Sequence, residues 1–192
     1  MGAQCPHFFG ELKMGNPVFS IVPADMPLVI SACLFAEEQH RGQLRKFTNE
    51  PYVTHPMRVA RMVGQFTMDP HVVAAALLHD VLEDTDTTSN EILMHFGIRV
   101  QAMVEALTDS PLEVGNRKTR KAIDHQRLRD AGSDVHLIKI CDMVDNWRSI
   151  SIHDPNFAIL FRREAIEFVN SLTDLDPHLL LMFKSTFRKV RL

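Results

Sequence analysis

Seven consecutive apolar residues, Val72 to Leu78, run straight into His79-Asp80 and then Glu83-Asp84. Asp69-Pro70 precedes them, a capping side chain followed by a proline suited to the first helical turn. The run is far short of the ~20 residues a membrane-spanning helix needs. On a helix, positions i and i+4 share a face. His79 and Glu83 then stack, and Asp80 and Asp84 stack beside them, while Val73, Ala76, Leu77 and Val81 face a core. One imidazole and three carboxylates on an apolar helix are costly to bury unpaired. A divalent cation compensates that cost, and mixed nitrogen and oxygen donors suit Mn, Fe or Zn. A solvated helix end accounts for Glu83, Asp84 and Asp86 taken alone; it does not account for His79-Asp80 inside the apolar run.

The rest of the chain is read as helices too. His55-Pro56 starts one. The segment Asp69-Pro70 to Asp84 is read as a single helix. Thr88 or Ser89 opens a further one that Gly97 ends, and another runs to about Thr108. After the loop DSPLEVGN comes the charged stretch RKTRKAIDHQRLRDAG; Asp134 opens a helix through Ile140 and Trp147, and the last two cover roughly 155–172 and 176–188. Alternation of Val, Ile and Thr over strand lengths is scarce, so the fold class is all-α, a single-domain bundle of about eight to ten helices. Residues 1–24, rich in Pro and Gly, are read as an N-terminal extension; residues 25–192 are the folded unit.

A net charge of −3 over 192 residues leaves no global basic field for nucleic acid or anionic lipid. Cys5, Cys33 and Cys141 lack any CxxC spacing. No basic region followed by an apolar one opens the chain, so a cytoplasmic location is expected. A homo-oligomer is compatible with these counts.

Two more segments extend the ionisable cluster. His55 stands at a helix start, where an imidazole can project into a shared pocket. Asp142 follows Leu137, Ile138, Ile140 and Cys141 directly, and Asn146 lies at i+4 on its face; a carboxylate there wants a partner. His55, His79, Asp80 and Asp142 make a two-His, two-Asp set that leaves coordination positions open for water and substrate. The remaining histidines, among them His40, His71 and His136, have no ligand-like companions and are read as surface or capping groups. Trp147 is read as core or pocket wall.

The order H…HD…D resembles the HD superfamily of metal-dependent phosphohydrolases. Five ordered segments, HRGQLRK, EPYVTHPMRVA, AALLHDVLEDTDTT, LTDS and IKICDMVDNWRSI, resemble the hydrolase domain of the RelA/SpoT homologues over residues 28–150. Such domains remove the 3′-pyrophosphate from the alarmones ppGpp and pppGpp. The length leaves no room for a synthetase, TGS or ACT domain, so the resemblance is to a stand-alone small alarmone hydrolase of the metazoan SpoT-homologue type. It implies a metal, usually manganese and otherwise Fe, Co or Zn, on His55, His79, Asp80 and Asp142. It implies a catalytic pair at Glu83 and Asp84. It places the base-contacting Arg-Lys on Arg45 and Lys46, the family's Asn on Asn146, and a pocket hydroxyl on Ser149. Lys118, Lys121 and Arg148 are the further candidates for the substrate's phosphates. The family loop RKSGEPY reads RKFTNEPY here, one residue longer and without its glycine. The partner expected is a small nucleotide. Alternatives are another nucleotide (an adenine alarmone, NADPH or a deoxynucleotide) and a nucleotide sensor without turnover.

Overall fold

A computed structural model describes residues 28–188. The extension expected over 1–24 lies outside the described residues. Among those residues the chain is all helix and loop, with one isolated antiparallel bridge, Leu44 to Pro51. The helices are α1 (Leu28–Gln39), α2 (Thr54–Val63), α3 (Pro70–Leu78), α4 (Val81–Asp84), α5 (Ser89–Leu107), α6 (Arg117–Asp130), α7 (Ser133–His153), α8 (Pro155–Asn170) and α9 (Pro177–Phe187).

The Val72–Leu78 run becomes the central helix. α3 packs against α1, α2, α5 and α7, which is why it is apolar on every side rather than along one stripe. Ala74, Ala75 and Ala76 are fully buried and let the neighbouring backbones come close. Its start follows the sequence signal: Asp69 accepts the His71 amide at 2.9 Å, and Pro70 fills the first turn. α5 starts at a reciprocal cap, Thr88 with Glu91, and breaks at Gly97, whose φ of 81° a side chain rarely tolerates. The two helices expected there are found: one ends at Gly97 and the other runs on to Leu107, and α5 denotes the pair.

One expectation is corrected. The helix through Asp84 is not continuous; α3 ends at Leu78, and α4 is a separate single turn after His79-Asp80. The His79 ring supplies the reason. Its Nδ1 bonds the Ala76 carbonyl at 2.9 Å, the acceptor an unbroken helix would offer to the Asp80 amide. The histidine so turns both itself and Asp80 inward at the end of the core helix. His40 is buried rather than on the surface, and His136, also buried, takes a capping role, its Nε2 meeting the Leu128 carbonyl near the end of α6.

α7 passes through the molecule with Val135, Ile138, Ile140, Cys141, Val144 and Trp147 buried. α8 and α9 pack on it. Trp147 stacks on Phe187 of α9 with ring centroids 4.8 Å apart, so it belongs to the core.

Candidate metal centre and active-site cleft

The four residues of the two-His, two-Asp set come from three elements and meet. His55 arrives on α2, His79 and Asp80 on the turn after α3, and Asp142 on α7. Donor atoms of His55, His79 and Asp80 all lie within 4.8 Å of one another. His55 Nε2 is 3.2 Å from Asp142 Oδ1 and 3.5 Å from Asp80 Oδ2. His79 Nε2 is 3.2 Å from Asp80 Oδ1 and 3.8 Å from Asp142 Oδ1.

The tautomers follow from the outer bonds. His55 Nδ1 donates to Asp145 Oδ2 at 2.8 Å, and His79 Nδ1 donates to the Ala76 carbonyl. Each ring therefore keeps its proton on the outside and directs an Nε2 lone pair into the cluster. His79 Nε2 is buried and makes no hydrogen bond within the protein. An orphaned imidazole nitrogen facing two carboxylates is the donor set a divalent cation satisfies, so the residues fit a metal. Without one, protons take its place. Burial opposes a charged His55, but the Asp142 and Asp145 carboxylates outweigh it and push the ring up to about 9. His79 is raised too, against its burial, by Asp80 and Asp142.

A cleft of about 230 Å³ opens beside the cluster, lined by Asp80, Glu83, Asp84, Asp109, Lys139 and Asp142. Glu83 Oε2 accepts the Asp109 amide at 3.1 Å. Withdrawal from water in the cleft, and then the Asp109 carboxylate, push Glu83 up to about 7. Lys139 was not legible as a site residue, yet its ammonium is 3.0 Å from Asp142 Oδ2. Burial works against its charge, but Asp142 and Asp109 hold it protonated far above the neutral range. In turn, against its own burial, Asp142 is held well below the usual carboxylate range by Lys139 and the two histidines.

Three other residues were missed. Asp145 takes His55 on one oxygen and Arg58 Nε on the other, both at 2.8 Å. Tyr52 donates its hydroxyl to Asp80 Oδ2 at 2.8 Å. Asp109 pairs with Lys121 at 2.5 Å. Asp145 and Lys139 lie three residues either side of Asp142 on one helix, a spacing that already put them on its face.

The substrate-side candidates divide. Arg45 Nη2 donates to Asn146 Oδ1 at 2.8 Å, and Asn146 Nδ2 donates to Asp142 Oδ1 at 2.6 Å, so Arg45 is tied to the cluster through one intermediary. In this loop Asn49 takes φ 56°, and asparagine is one of the few side chains that tolerate it. Phe47 of this loop stacks on His153, with ring centroids 5.5 Å apart, while Lys46 is exposed above Phe47. Lys121 lines the cleft, as does Arg117, which is bound to Glu164. Ser149 is half-buried on α7 outside that lining. Lys118 and Arg148 are exposed and are not brought into it.

Comparison with known proteins agrees with this geometry. A family model described as HD domain matches residues 32–167. A Xenopus tropicalis protein named guanosine-3′,5′-bis(diphosphate) 3′-pyrophosphohydrolase MESH1 is 37% identical over 69% of this chain and 74% of its own. An Aquifex aeolicus guanosine-3′,5′-bis(diphosphate) 3′-pyrophosphohydrolase is 41% identical over 60% of this chain but only 17% of its own, so the chain spans a small part of that larger relative. A solved structure described as a metazoan ortholog of SpoT that hydrolyzes ppGpp superposes with a TM-score of 0.76 and 27% identity, over 88% of this chain and 98% of that one. With its two histidines and two aspartates converging as they do, and with most of its length matched, the chain belongs to the HD-domain family.

Proposed function

We propose that the chain is a metal-dependent hydrolase that removes the 3′-pyrophosphate of guanosine alarmones, turning ppGpp or pppGpp into GDP or GTP plus pyrophosphate. The observation that carries the reading is the meeting of His55, His79, Asp80 and Asp142 beside Glu83 and Asp84 in one cleft. Its substrate class comes from the relatives, which are named for that reaction. We assign the four His and Asp residues as ligands and Mn²⁺ as the native ion, with Fe, Co and Zn as the metals the same donors accept. The catalytic unit is taken as residues 25–192, with 1–24 an appended arm. The reading assigns the protein to the cytoplasm; no helix among the described residues is long and apolar enough to cross a membrane.

A divalent cation held there supplies a Lewis acid, which neutralises phosphate oxygens and makes water a stronger acid. The protein's own groups do the rest. Asp84 orients the attacking water and accepts its proton. The water oxygen joins the phosphorus attached to O3′, the bond from that phosphorus to O3′ breaks, and the electron pair leaves on O3′. Glu83, part-protonated near neutrality, hands O3′ a proton. Lys139 and Lys121 hold positive charge against the diphosphate while the geometry is in line. Arg45, held flat by Asn146 and 5.6 Å over Tyr52, presents a planar guanidinium to the guanine. Lys46 and Ser149, outside the cleft lining, are assigned to the nucleoside side by the family resemblance alone. Lys118 and Arg148 contribute long-range attraction.

The test is a product assay on metal-stripped protein given ppGpp, its adenine counterpart or NADPH, with and without Mn²⁺. The longer Phe47 loop makes the adenine arm informative. Rapid Mn-dependent release of GDP and pyrophosphate from ppGpp is expected. Turnover of another nucleotide alone overturns the substrate, and silence on all three with metal bound supports the sensor alternative.

A further inference from the structure

α4 is a single turn, yet it carries Glu83 and Asp84. A turn this short cannot hold itself, because closing one hydrogen-bonded turn costs more than it returns. All its carbonyls are orphans unless something outside the helix meets them. Thr85 Oγ1 meets the Val81 carbonyl. The Asp84 carbonyl is met from 41 residues away: Gln43 Nε2 donates to it at 2.7 Å.

The Gln43 amide has only one consistent orientation. The Asp84 carbonyl only accepts, so the NH₂ end of Gln43 must face it. The oxygen end then faces His40 Nδ1 at 2.8 Å, which must be the protonated nitrogen. His40 is 2% exposed, and its ring stacks on Tyr52 with centroids 4.8 Å apart. Its other nitrogen, Nε2, is buried without a hydrogen bond to any protein group, so the single hydrogen bond of the His40 ring is the one that sets the Gln43 amide. The Tyr52 hydroxyl, from the same loop, reaches Asp80.

We propose that His40 and Gln43 are positioning residues for the hydrolytic step: His40 fixes the Gln43 amide, and Gln43 holds the Asp84 end of the one-turn helix so that the carboxylate meets the attacking water. This deepens the hydrolase reading and rests on it. The loop that carries Arg45 and Lys46 thereby also sets the geometry of the reacting end.

The variants are Gln43→Met, which keeps length and removes the amide, and His40→Phe, which keeps the stack on Tyr52 and removes the donor. In Mn-loaded full-length protein, Gln43→Met lowers kcat on ppGpp on the order of tenfold to a hundredfold, as small misplacements do, with KM and bound manganese unchanged. His40→Phe lowers kcat in the same way, and the double variant is no worse than Gln43→Met alone, because both act through one amide. Amide hydrogen exchange of residues 81–86, read in the same proteins, speeds up in both single variants. Independent, additive losses in kcat, a change confined to KM, or unchanged exchange at 81–86 overturns the proposal. The exchange arm reads out even if the parent protein fails to hydrolyse ppGpp, so loss of the hydrolase reading and loss of this positioning role are told apart.

Discussion

Asp84 and Glu83 are adjacent, but their surroundings differ, and so do the consequences of changing them. Asp84→Asn keeps size and backbone while removing the proton acceptor. Its activity is expected to fall about 10²–10⁴-fold, with manganese content after dialysis and Tm unchanged; a near-parental rate would remove Asp84 from the chemistry. Glu83 is raised from 4.5 to about 7 by loss of water and by Asp109. The folded metal-free protein therefore holds that proton more tightly than the unfolded chain does. Its contribution to stability is complete below the unfolded value and is lost as pH rises through about 7. Glu83→Gln escapes that loss, so the Tm of the metal-free variant should exceed the parent's at about pH 8 and converge with it at about pH 4. A Tm difference that does not change with pH would contradict the assignment. Glu83 and Asp84 were both legible in the sequence. Their different electrostatics were not, because Asp109 reaches Glu83 from a loop 26 residues away.

α7 contributes Asp142 to the cluster and Asp145 and Lys139 around it, one side chain per turn on one face. Asp142 was legible because a carboxylate after Leu137, Ile138, Ile140 and Cys141 needs a partner. Lys139 was not, since a lysine beside an apolar run reads as a solvated flank until its ammonium is seen buried against Asp142. Asp145→Asn is expected to lower manganese affinity about 10–100-fold by releasing the His55 ring, which isothermal titration of stripped protein reads directly; unchanged affinity would show that His55 is oriented without it. The break between α3 and α4 escaped the apolar periodicity for a similar reason. Periodicity records which residues are greasy, and the break comes from an imidazole bonding its own helix at Ala76. The loop before α2 held the opposite lesson: its departure from the family's spelling was visible in the sequence, while the left-handed backbone at Asn49 was seen only in the structure.

At the scale of the molecule, the cluster is assembled from α2, the end of α3 and α7, with α8 and α9 packed on α7 and α8 lining part of the cleft. Phe187 stacks on both Trp147 and Phe183 and is 2% exposed. Phe187→Ala should cost about 3–5 kcal/mol of stability, seen as a lower urea midpoint, while the folded fraction keeps its turnover; a parental midpoint would show that α9 is not part of the cooperative unit. The all-α class and the helix starts at Asp69, Thr88 and Asp176 were legible because caps and prolines act locally. Which helices meet around the cleft was not, because those contacts join residues as far apart as Arg45 and Asn146. On the proposed function, this centre directs water onto the phosphorus attached to O3′. Hydrolysis of ppGpp by the manganese-loaded protein in oxygen-18 water, with products resolved by mass spectrometry, tests it. One labelled oxygen in the pyrophosphate, none in GDP, and no turnover after chelation are expected. Label in GDP, stepwise release of single phosphates, or turnover that survives removal of the metal would contradict it.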